Sequence, residues 1–352
     1  MHDMKKNFLM TAVLGAGLLA ACQPVEPEKT EQFGTLSVNL AAPATMTKSD
    51  TSPLSCESKV NRMRVMIYNS AGNIVRDTLL SSPYNSLSIS QIKVGQYSVY
   101  AVANSCSSIP SSPGIITNPN DFSNKMISLS DCNLDENTGF VMFGSNPSVT
   151  VTTSATPQPA DLSVTRFPAR IRLVSVTNAL PDYLGDLTVE RVMIVNGYAQ
   201  WNIAGNSNPT IYVNPAGRNA TSGNIISSAE EADYPAHSFW ALPLAEKNIV
   251  HGATKTYNHS FYSFPNAVAN DVTTAGTGGG KLRLVAAIRV DQTLYYYPVT
   301  LTNVERNKSY DVKLTVSGLG SEDPNHPVEK GAAGISISVS GWGDGAEYTE
   351  TI

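Results

Sequence analysis

Charge is scarce in this 352-residue chain. Asp, Glu, Lys and Arg make up 15% of it, against 41% hydrophobic residues. A chain with so little charge and this much apolar material folds rather than staying disordered. The positive side is the weaker one, with 24 Lys and Arg against 29 Asp and Glu. A nucleic-acid partner, which needs a clustered basic face, is therefore not expected. No unbroken apolar run reaches about 18 residues, so no spanning helix is expected. Cysteine numbers only four and histidine five, with neither a CxxC nor an HExxH, so no zinc site is expected. No GxSxG elbow is present. The stretch from Ala275 to Leu282 reads AGTGGGKL. It fails as a phosphate loop because Lys281 is followed by Leu282 rather than Ser or Thr, and it reads as a hairpin turn. His251 and His259 lie in a polar stretch and read as exposed loop histidines. Glu230 and Glu231 read as a solvated turn. The expectation is a protein without catalytic residues, metal or cofactor.

What is present begins with an address. Lys5 and Lys6 precede a nearly all-apolar stretch from Phe8 to Ala20, about the length of a signal-peptide core and too short to cross a bilayer. Leu19-Ala20-Ala21-Cys22 follows, which looks like a bacterial lipobox. Residues 1–21 are read as a lipoprotein signal peptide and Cys22 as the acylated first residue of the mature chain, carrying fatty-acyl chains such as palmitate. Several acyl chains hold a protein on a membrane where one alone would be marginal. Residues 22–32, rich in Pro and Glu, read as a tether. Of the three remaining cysteines, Cys56, Cys106 and Cys132, at most one pair can close within the chain. Cys56 with Cys106 is slightly favoured over the others.

The rest is written almost throughout in period two. Leu36, Val38 and Leu40 alternate with Ser37 and Asn39, the signature of a half-buried strand. Val60 to Tyr68, a Ser70-Ala71-Gly72-Asn73 turn and Ile74 to Leu80 form a hairpin pattern. Further strands are expected at Leu87–Ile92, Tyr97–Asn104, Met126–Leu129, Phe140–Phe143 and Val149–Thr153. Thr156-Pro157-Gln158-Pro159 reads as the linker, with an N-terminal domain over 33–160 and a C-terminal domain over 161–352. The second part opens with Ala169–Val176 and Leu187–Val195. It continues through a long Asn-, Ser- and Gly-rich region from Asn196 to Ala236. Strands at Phe239–Leu244 and Asn258–Phe264 lead to a hairpin, Lys281–Val290 and Leu294–Leu301 across Asp291-Gln292. Ser309–Ser317, Gly334–Gly341 and Tyr348–Ile352 close the chain. No segment keeps a helical period, and two all-β sandwiches in tandem fit best.

Four segments, taken in order, resemble the fimbrillin family, the fimbrial subunits of Bacteroidales. They are Val60–Asn69 with Gly72, Gly95–Asn104, Val164–Ile171, and a last stretch from Tyr295 to Trp342. That stretch includes Tyr295-Tyr296-Tyr297-Pro298-Val299, Val304 to Val312 and Gly318 to Pro324. The resemblance implies two transthyretin-like β-sandwich domains and an outer-membrane lipoprotein precursor. It also implies a trypsin-like protease that removes the lipidated first strand, and a C-terminal strand from another subunit that fills the gap. The partners are then other copies or related fimbrial subunits, and the destination is the fimbrium, for adhesion.

The residues fit that scheme physically. Loss of a first strand uncovers core side chains and a row of unpaired backbone groups, a template for strand addition. Phe33 to Leu40 is the expected displaced strand, with Leu36, Val38 and Leu40 facing the core. A replacement must keep the same period, since a slip of one residue turns every side chain outward. Ile335, Ile337 and Val339, alternating with serines, qualify as the donor strand; Gly334–Gly341 as simply the last strand of its own domain is the competing reading. Between Leu40 and Lys59 the only basic residue is Lys48, the candidate cleavage site. The family's best-known members are cut after Arg, so two alternatives stand beside the stalk subunit. One is an uncut, lipid-held anchor subunit. The other is a non-polymerising surface lipoprotein that binds glycan through aromatic clusters such as Tyr295-Tyr296-Tyr297 and Tyr257 to Phe264.

Overall fold

The computed structural model describes residues 30–41, 57, 59–80, 84–104, 116, 118–129, 139–203, 205, 212–213, 239–241, 244–268, 280–324, 326, 333–341 and 348–351. The first half holds β1 (Phe33–Ala41), β2 (Met63–Asn69), β3 (Ile74–Leu80), β4 (Ser86–Lys93), β5 (Gly95–Ala103), β6 (Met126–Ser128), β7 (Met142–Val151), β8 (Gln158–Ser163) and β9 (Thr165–Arg166). The second holds β10 (Ala169–Asn178), β11 (Leu187–Val195), β12 (Gly197–Tyr198), β13 (Gln200–Asn202), β14 (Tyr212–Val213), β15 (Phe239–Ala241), β16 (Asn248–Ile249), β17 (Thr254–Ser263), β18 (Leu282–Val290), β19 (Thr293–Leu301), β20 (Lys308–Val316), β21 (Ala333–Gly341) and β22 (Tyr348–Thr351). The all-β expectation holds.

Each half stacks two sheets. In the first, a three-stranded sheet ordered β4-β1-β8 accompanies a five-stranded sheet, β3-β2-β5-β7-β9. In the second, β17-β10-β20-β21-β22 accompanies β15-β11-β18-β19. The halves repeat one plan. β1 runs antiparallel to β4 and parallel to β8, and β10 runs antiparallel to β17 and parallel to β20. A short pair, β6 with β13, links the halves. Buried side chains from both halves form one continuous cluster.

Turn chemistry sets the hairpins. Between β2 and β3, the Asn69 side-chain oxygen accepts from the backbone N–H groups of Ala71 and Asn73, both at 3.0 Å, and Gly72 takes φ +78°. Between β18 and β19, Asp291 and Gln292 both have positive φ, the twist that two-residue hairpin loops need. The turn thus falls on the pair expected, although neither residue is a glycine.

Two readings shift. Phe140–Phe143 and Val149–Thr153 are parts of one strand, β7, with an irregularity opposite Tyr97 and Val99. Pro147 lies in that stretch, where its missing N–H breaks no ladder bond. The expected linker at Thr156–Pro159 leads into β8, which crosses residue 160 and pairs with β1 along six residues. Pro159 is tolerated there because β8 is an edge strand.

His259 is a correction of another kind. It lies within β17, opposite Leu173, with its ring edge-on to Phe261 at 4.8 Å, and is not a loop residue. Burial disfavours the imidazolium and pulls its pKa down to about 4. The unfolded chain therefore takes up this proton first as pH falls, near 6.5. The contribution is complete above that pH and is lost between about pH 6.5 and 4. His259→Gln is expected to flatten that part of a plot of Tm against pH; an unchanged profile would mean His259 is not its source.

Candidate functional site

β1 is the centre of the candidate site. Its odd and even positions divide as the sequence period dictates: Leu36 and Val38 are fully buried and Leu40 nearly so. Leu36 lies opposite Ile89 and Gln158, Val38 opposite Leu87 and Ala160, and Leu40 opposite Leu162. The polar side of the strand is solvated. There Asn39 donates to Asp161 at 2.7 Å, and Lys93 meets Glu31 in an exposed ion pair that contributes little. Backbone bonds fasten both ends: Val94 N–H to the Gln32 carbonyl at 2.8 Å, and Val164 N–H to the Ala41 carbonyl at 3.2 Å. Ladder bonds on both sides and an apolar row beneath make β1 a plug between β4 and β8.

β21 lies between β20 and β22 in its own domain's sheet. It pairs with β20 over nine residues, which sets Ile335, Ile337 and Val339 opposite Leu314, Val312 and Tyr310. β22 covers its other side over four residues. Cys22, Lys48, Cys56, Cys106 and Cys132 lie outside the described residues, as do most of the glycine turn and Glu230-Glu231.

A second cluster, at the junction of the halves, was not anticipated. Glu57 is buried there. Its carboxylate accepts from Tyr262 Oη at 2.5 Å and Arg170 Nη1 at 3.2 Å, and its backbone carbonyl accepts from Arg166 Nε at 2.6 Å. Arg170 also donates to Ser309 at 3.0 Å, and Arg166 to Asn307 at 3.2 Å. Arg172 pairs with Asp311 at 2.5 Å. Burial pulls the Arg166 guanidinium down to about 10, against the opposing pull of Glu57. Arg306 lies 4.4 Å from the Phe167 ring centre and donates to the Thr165 carbonyl and hydroxyl. Arg170 and Arg172 alternate with Ala169, Ile171 and Leu173 in β10, yet both are buried. Read locally, that alternation sends both arginines to solvent, so the sequence pattern carried no signal of the cluster. The cluster ties the chain after β1 to strands of the second half and acts as a fastening.

The aromatic clusters are mostly core: Tyr296, Tyr297, Tyr257, Phe261, Tyr262 and Phe264 are buried and offer no stacking face to a sugar, while Tyr295 is partly buried against the core. His251 lies 2.9 Å from Asp182, and His326 2.8 Å from Asp323. Among the described residues no group of His, Cys, Asp and Glu is arranged to hold a metal ion, and no helix is long and apolar enough to cross a membrane.

Comparison with known proteins agrees with the geometry. Residues 34–178 match the family model described as Major fimbrial subunit protein (FimA). No curated protein sequence matches the chain. Among solved structures, a fimbrilin (FimA) from Porphyromonas gingivalis W83 superposes with a TM-score of 0.62 at 16% identity, covering 88% of this chain and 98% of its own. A candidate cell adhesion protein from Bacteroides eggerthii DSM 20697 gives 0.62 at 17% identity, covering 89% and 97%. Another from Parabacteroides distasonis ATCC 8503 gives 0.58 at 16%, covering 88% and 100%. At these identities the structures show a shared fold. The resemblance read in the sequence is thus met by a family match that runs from the second residue of β1 to the last residue of β10. That family is one of structural fimbrial subunits, not of enzymes.

Proposed function

We propose that this chain is a fimbrial adhesion subunit that reaches the cell surface as a Cys22-acylated lipoprotein and polymerises by strand replacement. A protease cuts after Lys48, β1 leaves with the lipidated segment, and β21 of another subunit takes its place. The observation that carries this reading is the position of β1. It is an internal strand, laddered on both sides, and its removal opens two strand edges and the floor under Leu36, Val38 and Leu40 at once. Such a slot is a strong template for an added strand. A match to a fimbrial subunit family supports assembly with other fimbrial subunits in a surface fimbrium. We place the division between the domains after Arg166, because β8 and β9 pair with strands of the first half.

The experiment is the intact mass and N-terminal residue of the protein recovered from the cell surface. The expected product is lipid-free and begins at Ser49. A product still beginning with acylated Cys22 overturns the stalk role and leaves a lipid-held anchor subunit.

A further inference from the structure

Resting on that strand replacement, the slot also determines which way the incoming strand lies. β1 imposes two conditions. Positions 36, 38 and 40 must be apolar, because they form the buried row. Position 34 must carry no Cβ: one placed on Gly34 would lie 2.1 Å from the Thr152 carbonyl oxygen and 2.8 Å from Val151 Cγ1. The obstacle is backbone and cannot swing aside.

β21 reads Ala-Gly-Ile-Ser-Ile-Ser-Val-Ser-Gly from Ala333 to Gly341. Laid in the direction of β1, the registers that put Ile335, Ile337 or Val339 at position 36 bring Ala333, Ile335 or Ile337 to position 34, and each carries a Cβ. Bringing Gly334 to position 34 instead sends Ser336, Ser338 and Ser340 to the buried row. Laid in the opposite direction, one register meets both conditions. Gly341 takes position 34, Val339 takes 36, Ile337 takes 38 and Ile335 takes 40. Ser340, Ser338 and Ser336 then take positions 35, 37 and 39, which Thr35, Ser37 and Asn39 hold on the polar side of β1. Trp342 takes the place of Phe33, whose ring is half exposed.

β20 stands beside β10 as β8 stands beside β1, parallel in both cases. Within its own domain β21 pairs antiparallel with β20. Reversed insertion gives β21 that same antiparallel relation to β8.

We propose that the donor strand enters the slot of the next subunit reversed with respect to β1, antiparallel to β8 and parallel to β4, with Gly341 at the constriction now filled by Gly34. Two double-cysteine variants of the full chain test it in fibres grown after protease treatment, with cross-linked peptides identified by mass. Ser90 lies opposite Thr35 and Ser88 opposite Ser37. Ser90→Cys with Ser340→Cys is expected to give an intersubunit disulfide, since those positions become neighbours within bonding distance. Ser88→Cys with Ser336→Cys, neighbours only in the unreversed register, is expected to give none. The opposite result, or fibres showing neither bond, overturns the direction and leaves strand replacement standing. Failure of the unsubstituted protein to form fibres after loss of β1 overturns strand replacement itself.

Discussion

Replacing Glu57 by alanine is expected to destabilise the fold by about 3–5 kcal/mol, the cost of breaking a buried ion pair from one side. The carboxylate accepts from both the Arg170 guanidinium and the Tyr262 hydroxyl. Its removal leaves a cation in a site closed to water, with Ser309 as a remaining neutral acceptor. The Arg166 Nε bond to the Glu57 backbone carbonyl survives the substitution, so the loss is confined to the carboxylate's own contacts. Glu57→Gln keeps the shape and an acceptor for Tyr262 but not the charge, and is expected to fall between wild type and alanine. Denaturant unfolding of the three proteins reads the order directly. If alanine unfolds within about 0.5 kcal/mol of wild type, the range of ordinary surface substitutions, the junction does not depend on Glu57.

The second large effect is the loss of β1. Leu36, Val38 and Leu40 are each buried, and burying such a side chain contributes about 1.5–3 kcal/mol. Together they supply about 5–9 kcal/mol, against a typical total stability of about 5–15 kcal/mol. A subunit cut after Lys48 and separated from its first strand is therefore expected to melt at least about 10 °C lower. Incorporation into a fibre is expected to restore the loss. Scanning calorimetry of the precursor, the stripped monomer and the fibre tests all three. A stripped monomer as stable as its precursor would mean that the slot has closed on itself and that no donor is needed.

Much of this was legible before any coordinates. The alternation of Leu36, Val38 and Leu40 marked β1 and its buried face, and Asp291-Gln292 was placed as the turn of the β18–β19 hairpin. Strand period is a local property, so local sequence suffices to show it. Pairing partners are not local. That β1 lies between β4 and β8, with β8 parallel to it, depends on chain separated from it by about half and all of the first domain. Pro159 reads as a linker residue in sequence and is an edge-strand residue in the fold. The Glu57 cluster was missed for the same reason: its acid and its bases are more than 100 residues apart, and only burial makes them a unit. His259 looked like a polar loop residue because its neighbours are polar, and tertiary packing overrode that context.

The way β1 is flanked has a mechanical consequence. A strand held along its length on both sides, when pulled along its own axis, must break its ladder bonds in shear, many together, rather than unzip them singly. A donor in the same slot inherits that loading geometry. Forced rupture is governed by the rate of crossing a barrier rather than by equilibrium stability. A fibre joined this way holds a sudden tug from flowing liquid better than its equilibrium stability alone implies.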